Sequence, residues 1–143
     1  MDYEHIHHIT SADVAIRVKA LSAEELFIKA GRALMSEILD DISTLKPVIY
    51  VKGEIRACEL EMLYFEFLNE FLFYKDARSL LLLPESLNIT HDSETYLCTY
   101  MLSGENIDRD RHTFKVDIKA VTLHCLRLVQ EGNEFIAETV FDV

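Results

Sequence analysis

Residues 59–74 read ELEMLYFEFLNEFLFY, a strongly apolar run near the middle of a 143-residue chain. The glutamates at positions 59, 66 and 70 fall at steps of seven and four, so on a helix they form one narrow polar stripe. The opposite stripe is apolar and consists of Leu60, Leu63, Phe67 and Phe71. Because so little of this surface is polar, the pattern predicts a central helix that is nearly buried.

A second helix is predicted nearer the start of the chain. Ser22-Ala23-Glu24-Glu25 is a capping box, in which the Ser22 hydroxyl can accept from the backbone N–H of Glu25 and the Glu25 side chain can reach back. Apolar residues then follow at helical spacing: Leu26, Phe27, Ala30, Ala33, Leu34 and Ile38. The spacing predicts an amphipathic helix of about four or five turns that ends near Asp40 and Asp41.

Strands are predicted around these two helices. Alternating or β-prone residues mark the segments 14–18, 48–57, 94–102, 112–119, 123–129 and 135–143. Gly104 is expected to interrupt the pattern after residue 102. The chain length suits one domain. Two helices followed mainly by antiparallel strands predict an α+β fold: a single domain over residues 1–143, with two main helices packed on a largely antiparallel β-sheet.

The last two strands are predicted to form a hairpin around the turn at residues 131–134, which read EGNE. A turn centred on Gly132 and Asn133 implies two cross-strand pairs, Leu123 with Asp142 and Arg127 with Glu138. Lys119, four residues before Leu123, then shares the face of Asp142 at roughly 13 Å along the strand. This spacing is too long for a salt bridge and suits one mixed acidic and basic surface.

Composition narrows the class of protein. Lys and Arg number 14 against 25 Asp and Glu, a net charge of −11, which disfavours strong direct binding to nucleic acid. A basic protein surface or a metal cation suits that charge better. No apolar run is long enough to span a membrane, and the first residues lack the pattern of a signal peptide. The three widely spaced cysteines, Cys58, Cys98 and Cys125, predict reduced and mostly buried thiols in a cytoplasmic protein, or a nuclear one in a eukaryote.

No catalytic motif is evident in the sequence. The chain has four glycines, and no glycine-rich phosphate loop or dinucleotide fingerprint can be written with them. His112 and His124 have no partnered serine or cysteine nucleophile that the sequence identifies.

Seven short motifs resemble the archease family, in family order and over nearly the whole chain. They are Ser11-Ala12-Asp13-Val14, the helix that Ser22 opens, residues 41–44, residues 60–70 with their Leu-Asn-Glu, Gly104-Glu105 with Arg111-His112, residues 119–124, and Phe141-Asp142-Val143. The sequence departs from the family at Thr10, where a histidine is expected, and at Ala15 and Ala20, where glycines are expected.

The resemblance implies a non-enzymatic protein that promotes guanylylation and repeated turnover of an RtcB-type RNA ligase in tRNA splicing and RNA repair. It implies a cation site formed by Asp13, Asp142 and Val143, holding Ca²⁺ or Mg²⁺, or Mn²⁺ shared with the ligase. Oxygen ligands of this kind suit hard divalent cations. It also implies a surface for the partner that includes Lys119, Asp41 and His112.

The residues alone leave three other interpretations of the site and the function open. Asp13 and Asp142 are, in the simplest one, separate solvated strand ends. In a second, the protein is a metal-dependent hydrolase that uses Asp13, Asp142 and His112. In a third, it is a chaperone-like binding protein, which would require a large exposed apolar patch.

Overall fold

The computed structural model describes residues 3–6 and 13–143 of the chain. In chain order the elements are β1 (Tyr3–His5), β2 (Val14–Ala20), α1 (Ala23–Ile38), a 3₁₀ turn (Ile42–Thr44), β3 (Ile49–Ala57), α2 (Leu60–Arg78), β4 (Leu80–His91), β5 (Tyr96–Asn106), β6 (Ala120–Glu131) and β7 (Glu134–Asp142). The predicted α+β class is confirmed. The strands form two antiparallel sheets, ordered β1-β2-β7-β6 and β3-β5-β4.

Both helices contact strands of both sheets, so they fill the space between them. Among the helical residues predicted to face the core, Leu63, Phe67 and Phe71 are buried. The Phe67 ring lies 5.4 Å from Phe27 of α1 and 5.9 Å from Tyr100 of β5, measured between centroids. Helix α2 therefore is the nearly buried central helix that its sequence predicts.

The polar side chains of α2 differ in how deeply they are buried and in their hydrogen bonds. The buried Tyr64 hydroxyl lies 2.7 Å from the Thr139 hydroxyl, which joins α2 to β7. Glu66 is exposed, whereas Glu70 is half-buried. Burial, and secondarily the charge of Glu66, raises the pKa of Glu70. These positions agree with one narrow polar stripe on an otherwise apolar helix.

Helix α1 begins as its capping box predicts. The Ser22 hydroxyl oxygen accepts from the backbone N–H of Glu25 at 3.1 Å. The Glu25 carboxylate pairs with Lys29 at 3.0 Å, one turn further along the helix. The helix ends at Ile38, close to the predicted end at Asp40 and Asp41.

The prediction that Gly104 interrupts its strand is wrong. Strand β5 continues through Gly104 to Asn106. A Cβ at this position would lie 1.8 Å from the main-chain oxygen of Leu81 on β4, so glycine is required by close approach of two backbones. Strand β4 itself was not predicted, because it opens with four consecutive leucines and contains Pro84 beside a register shift.

The alternation over residues 112–119 is correct, but the predicted strand does not form. Ile118 is buried, while Lys115, Asp117 and Lys119 are exposed. Apart from an isolated bridge of Phe114 to Leu39, the segment has no strand partner in the described part of the chain. It runs past the end of α1, where Lys115 N–H donates to the Ile38 carbonyl at 2.8 Å. The unpaired carbonyl groups at the C-terminal end of α1 thus accept hydrogen bonds that a neighbouring strand was expected to accept.

Side chains also hold in place the whole stretch between β5 and β6, residues 107–119, which is called the 107–119 segment below. The Lys115 ammonium donates to the Ser36 carbonyl at 3.2 Å, another acceptor at the end of α1. The buried Lys75 of α2 reaches Asp117 at 3.4 Å and Asp76 at 2.6 Å. A cation so well buried requires such partners. The segment is thus tied to both helices before it enters β6.

A buried carboxylate, Glu105, ties the start of the segment to the 3₁₀ turn. Its oxygens accept from the Arg111 guanidinium, from His112 Nε2 at 3.0 Å and from the Lys46 N–H at 3.0 Å. Arg111 also donates to the Thr44 carbonyl at 3.0 Å. Burial raises the pKa of the Glu105 carboxyl, but the hydrogen bonds from His112, Lys46 and Arg111 outweigh it and lower the pKa to about 2.

The prediction of mostly buried thiols is wrong for two of the three cysteines. All three are free, but only Cys98 is buried, and Cys58 and Cys125 are exposed. Cys125 lies at an irregularity of β6 with φ of 58°, where the strand bends away from regular pairing. Among the described residues, no helix has the length and apolar character required to cross a membrane.

Glu105→Gln is expected to lower the free energy of unfolding by about 3 kcal/mol at neutral pH, because it removes one charge from a buried, hydrogen-bonded ionic cluster. The effect depends on pH. Since the folded state lowers this pKa from 4.5 to about 2, the stabilisation is complete above about pH 4.5 and is lost as the pH falls towards 2.

Urea unfolding at several pH values measures this difference between wild type and variant. Glu94→Gln, at an exposed position, is the matched control and should change stability little. A Glu105→Gln stability deficit that stays the same from pH 7 to about pH 2 would contradict the assignment.

Candidate functional site

The ends of three neighbouring strands meet at one corner of the four-stranded sheet. Strand β7 lies between β2 and β6. Val14 of β2 pairs with Phe141 of β7, and Ala120 of β6 pairs with Asp142. Extending the β2–β7 register by one residue places Asp13 opposite Asp142. The register thus brings the end of β7 that carries Asp142 beside the start of β2, which Asp13 precedes.

The geometry around the two carboxylates is that of an exposed corner. Asp13 is half-buried and Asp142 is exposed. Opposite residues of an antiparallel pair are separated by about 4.5–5.5 Å between Cα atoms, so the carboxylates can share one ligand. By strand alternation Asp142 points to the same side of the sheet as Val140, which forms a small apolar cluster with Ile6 and Ala15.

The predicted position of Lys119 is wrong. Arg127 lies opposite Glu138 as expected. The next regular pair towards the start of β6 is Thr122 with Val140, so β6 covers five residues where β7 covers two. This bulge brings Ala120, and not Leu123, opposite Asp142. A hairpin register counted from the turn holds only as far as the first irregularity.

Lys119 is consequently a direct backbone neighbour of Asp142. Its backbone N–H donates to the main-chain oxygen of Asp142 at 2.8 Å. Continuing the register places Lys119 opposite Val143, on the alternate face from Asp142. The expected separation of roughly 13 Å is replaced by adjacent positions in the ladder. The Lys119 side chain is exposed at this end of the sheet.

The donor set at this corner fits a hard cation. Carboxylate oxygens are the ligands that Ca²⁺ and Mg²⁺ prefer. Asp13 and Asp142 carry two such groups, and Val143 is exposed next to Asp142. The main-chain oxygen of Asp142 is already engaged by Lys119, which leaves the carboxylates as the principal ligands. Within residues 3–6 and 13–143, no three His, Cys, Asp or Glu side chains come together as a metal cluster.

Asp41 lies elsewhere on the surface. Its carboxylate caps the 3₁₀ turn, accepting from the Ser43 N–H at 2.9 Å and from the Ser43 hydroxyl at 2.7 Å. These hydrogen bonds lower the pKa of Asp41. The residue lines a cleft beside β1 with Asp40 and Lys115. It is exposed and carries a fixed negative charge, but no described contact joins it to Asp13 or Asp142.

His112 is not on the surface, contrary to what was expected of a partner-contact residue. Its side chain is fully buried. Nδ1 accepts from the Asp108 N–H at 2.9 Å, so Nε2 carries the proton and donates to Glu105. Because the fold uses both ring nitrogens, His112 positions the 107–119 segment and has no free nitrogen to offer a partner or a substrate.

Glu37 is a buried charged residue that the sequence did not single out. Its carboxylate accepts from the Tyr3 hydroxyl and contacts His5 Nε2 at 3.0 Å, which ties β1 to α1. Burial, together with the hydrogen bond to Glu37 and its charge, raises the pKa of Tyr3 well above its usual range. The alternation of Tyr3 and His5 on one strand face is the signal that could have indicated this pair.

The departures from the family pattern have different outcomes. Thr10, with Ser11 and Ala12, lies outside the described residues. Ala15 and Ala20 are buried positions within the regular strand β2, paired with Val140 and Phe135 of β7. An alanine is compatible with extended backbone there, and neither position has the positive φ that would require glycine.

Comparison with known proteins finds relatives that match this chain over nearly its full length. The archease protein family (MTH1598/TM1083) matches residues 3–143. The archease of Methanopyrus kandleri is 30% identical over 143 residues, covering 100% of both chains. The archease of Pyrococcus furiosus is 25% identical, covering 99% of this chain and 98% of its own.

Two solved structures share the fold. The solution structure of Methanobacterium thermoautotrophicum protein 1598 superposes with a TM-score of 0.84 at 23% identity, covering 99% of each chain. The crystal structure of a Thermotoga maritima archease, titled a possible chaperone, gives 0.60 at 21% identity, covering 94% of this chain and 93% of that one. The full-length family match and the 30% identical relative show that this chain belongs to the archease family.

Proposed function

We propose that this protein is a non-catalytic activator of an RtcB-type RNA ligase, acting in tRNA splicing and RNA repair through a cation held at the Asp13–Asp142 corner. The ligase would guanylylate its own histidine with GTP and Mn²⁺. The proposal rests on the register of β2, β7 and β6, which pairs Val14 with Phe141 and Ala120 with Asp142, and on the main-chain hydrogen bond from Lys119 to Asp142.

Electrostatics support a partner of this kind. The net charge of −11 suits contact with a basic protein, and a ligase that holds RNA needs a basic surface. The corner offers two carboxylates, which would bind Ca²⁺ or Mg²⁺, or take hold of Mn²⁺ at the ligase. Lys119 would contact the partner beside that cation, and the exposed Asp41 would offer the partner a separate negative charge.

The hydrolase interpretation is not favoured by the geometry. It requires His112 to act as a base beside Asp13 and Asp142, but that imidazole is buried in the Glu105 cluster with both nitrogens engaged. The names of the four relatives above denote no catalytic activity.

The chaperone-like interpretation also lacks a supporting surface. The large apolar side chains that are exposed in the described part of the chain are Leu21, Val48, Tyr50, Phe73, Leu123 and Val143. They belong to different elements, and only Val48 and Tyr50 are within two residues of each other. Singly exposed apolar residues are ordinary on a soluble protein.

The first test separates activation from catalysis. The purified protein alone should neither consume GTP nor seal RNA ends, whereas substoichiometric amounts should restore repeated turnover to a ligase that stalls after one round. Single-turnover and multiple-turnover sealing assays, with and without the protein, measure this. Ligation or GTP consumption by the protein without the ligase would refute the proposal.

The second test concerns the cation. Asp13→Asn and Asp142→Asn should each weaken Ca²⁺ or Mg²⁺ binding by about tenfold or more, because the number of charged ligands sets the affinity of such sites. Isothermal titration calorimetry measures the affinity, and circular dichroism checks the fold. Asp110→Asn, at an exposed aspartate of the 107–119 segment, is the matched control. Equal affinity in wild type and both site variants would exclude these carboxylates as ligands.

The third test separates Lys119 from the cation. Lys119→Gln should raise cation affinity about two- to fivefold, since it removes a positive charge within roughly 5–10 Å of the carboxylates. Ligase activation should nevertheless be lost, because the proposed partner contact is gone. Lys19→Gln, an exposed lysine about 20 Å away on β2, should change neither property. Full activation by Lys119→Gln would remove this residue from the partner surface.

A further inference from the structure

Three of the four sheet edges in the described part of the chain are short or interrupted. Strand β1 is three residues long. Strand β4 contains Pro84 and a register shift. Strand β6 has the bulge before Arg127 with Cys125 in the left-handed conformation. Short strands, prolines and bulges are the usual ways in which proteins protect exposed edges.

Strand β3 is neither short nor interrupted, and the protective feature that it does carry is a row of exposed charges, Lys52, Glu54 and Arg56. It spans nine residues, Ile49–Ala57, contains no proline, and pairs with β5 in an uninterrupted register. Its other edge has no strand partner among the described residues. Regular exposed edges of this length present free N–H and C=O groups to another strand. Such an edge calls for an occupant.

The side chains of β3 are ordered so that the strand complements itself. On its outer face Tyr50, Lys52, Glu54 and Arg56 are exposed, in that order. When two antiparallel copies are centred on Gly53, Lys52 lies opposite Glu54 of the other copy, and Tyr50 lies opposite Arg56. The two-fold symmetry repeats each pair, giving two Lys–Glu pairs and two Tyr–Arg pairs across one interface.

We propose that two copies of this protein associate through β3, joining their three-stranded sheets into one six-stranded antiparallel sheet. The occupant of the free edge is therefore a second copy of the chain. This association lies on the opposite sheet from the Asp13–Asp142 corner and does not depend on the function proposed above.

The charges also select the register. A shift that centres the pair on Lys52 places two lysines against each other. A shift that centres it on Glu54 sets two glutamates together and brings Lys52 opposite Arg56. Like charges directly opposite each other destabilise a pair of strands. Only centring on Gly53 matches every outer charge with a favourable partner.

The inner face of the strand is compatible with the same arrangement. Val51 and Ile55 pack against the core and would lie opposite each other across the two-fold axis, extending the apolar face. Gly53 has a separate role within one copy, since a Cβ there would lie 2.4 Å from the Tyr100 hydroxyl oxygen. In the described part of the chain, the side chains of Lys52 and Glu54 make no hydrogen bond or ion pair that would compete.

Sedimentation equilibrium over a range of concentrations tests the proposal with a charge-swap design. Wild type should shift from monomer to dimer as concentration rises. Lys52→Glu and Glu54→Lys should each weaken the dimer by about tenfold or more, because both Lys–Glu pairs become like-charged. An equimolar mixture of the two variants should dimerise again, since a glutamate of one variant then faces a lysine of the other in both pairs. Lys52→Glu/Glu54→Lys in one chain should restore the dimer too.

Lys19→Glu, which changes the net charge equally on the other sheet, is the control and should dimerise as wild type does. Circular dichroism of each variant checks that the fold is unchanged. A wild type that stays monomeric at concentrations on the order of 1 mM would overturn the proposal. So would a dimer that is unaffected by either single reversal, or protection of the β3 amides from hydrogen exchange only when the ligase is added, which would assign the edge to a different partner.

Discussion

The structure depends on one constraint, the need to cover α2 on nearly every side. A helix whose polar stripe is so narrow cannot lie on the surface of a single sheet, because half of its apolar side chains would remain in water. Two sheets with α1 between them meet this need, and Phe67 touches both α1 and the β3-β5-β4 sheet. The Tyr64–Thr139 hydrogen bond then fixes α2 against β7, the central strand of the other sheet.

The helices could be predicted from sequence because their signals are local. The Ser22 cap and the spacing of apolar residues in α1 and α2 depend on neighbours within one or two turns. The division of the strands into two sheets could not be predicted in this way. Strand β4 lacks alternation because both of its faces are covered at its start, and Gly104 resembles a strand breaker only when the backbone of Leu81 is not considered.

For the candidate site, too, local signals could be interpreted from the sequence and long-range pairing could not. Asp13 and Asp142 were singled out from the residues that resemble the family, and the β2–β7 register pairs their neighbours Val14 and Phe141. The position of Lys119 was wrong because a bulge has no strong signature in one sequence: no glycine marks it, and Cys125 adopts a positive φ there. His112 shows the reverse error. The resemblance implied a surface position for His112, yet its side chain supports the buried carboxylate of Glu105.

Several buried charged groups contact the 107–119 segment, and together they support Lys119 at its end. Apart from the Phe114–Leu39 bridge, residues 107–119 have no strand partner in the described part of the chain, so no ladder of backbone hydrogen bonds orders them. Glu105, the open carbonyls at the end of α1 and the Lys75–Asp117 pair each fix one part of the segment. The final contact, from Lys119 N–H to the Asp142 carbonyl, joins that support to the end of β7. The two aspartates and the lysine are thus set by different halves of the structure, the aspartates by strand register and the lysine by the charged clamps. A change in the Glu105 cluster can therefore move Lys119 while the spacing of the carboxylates is unchanged.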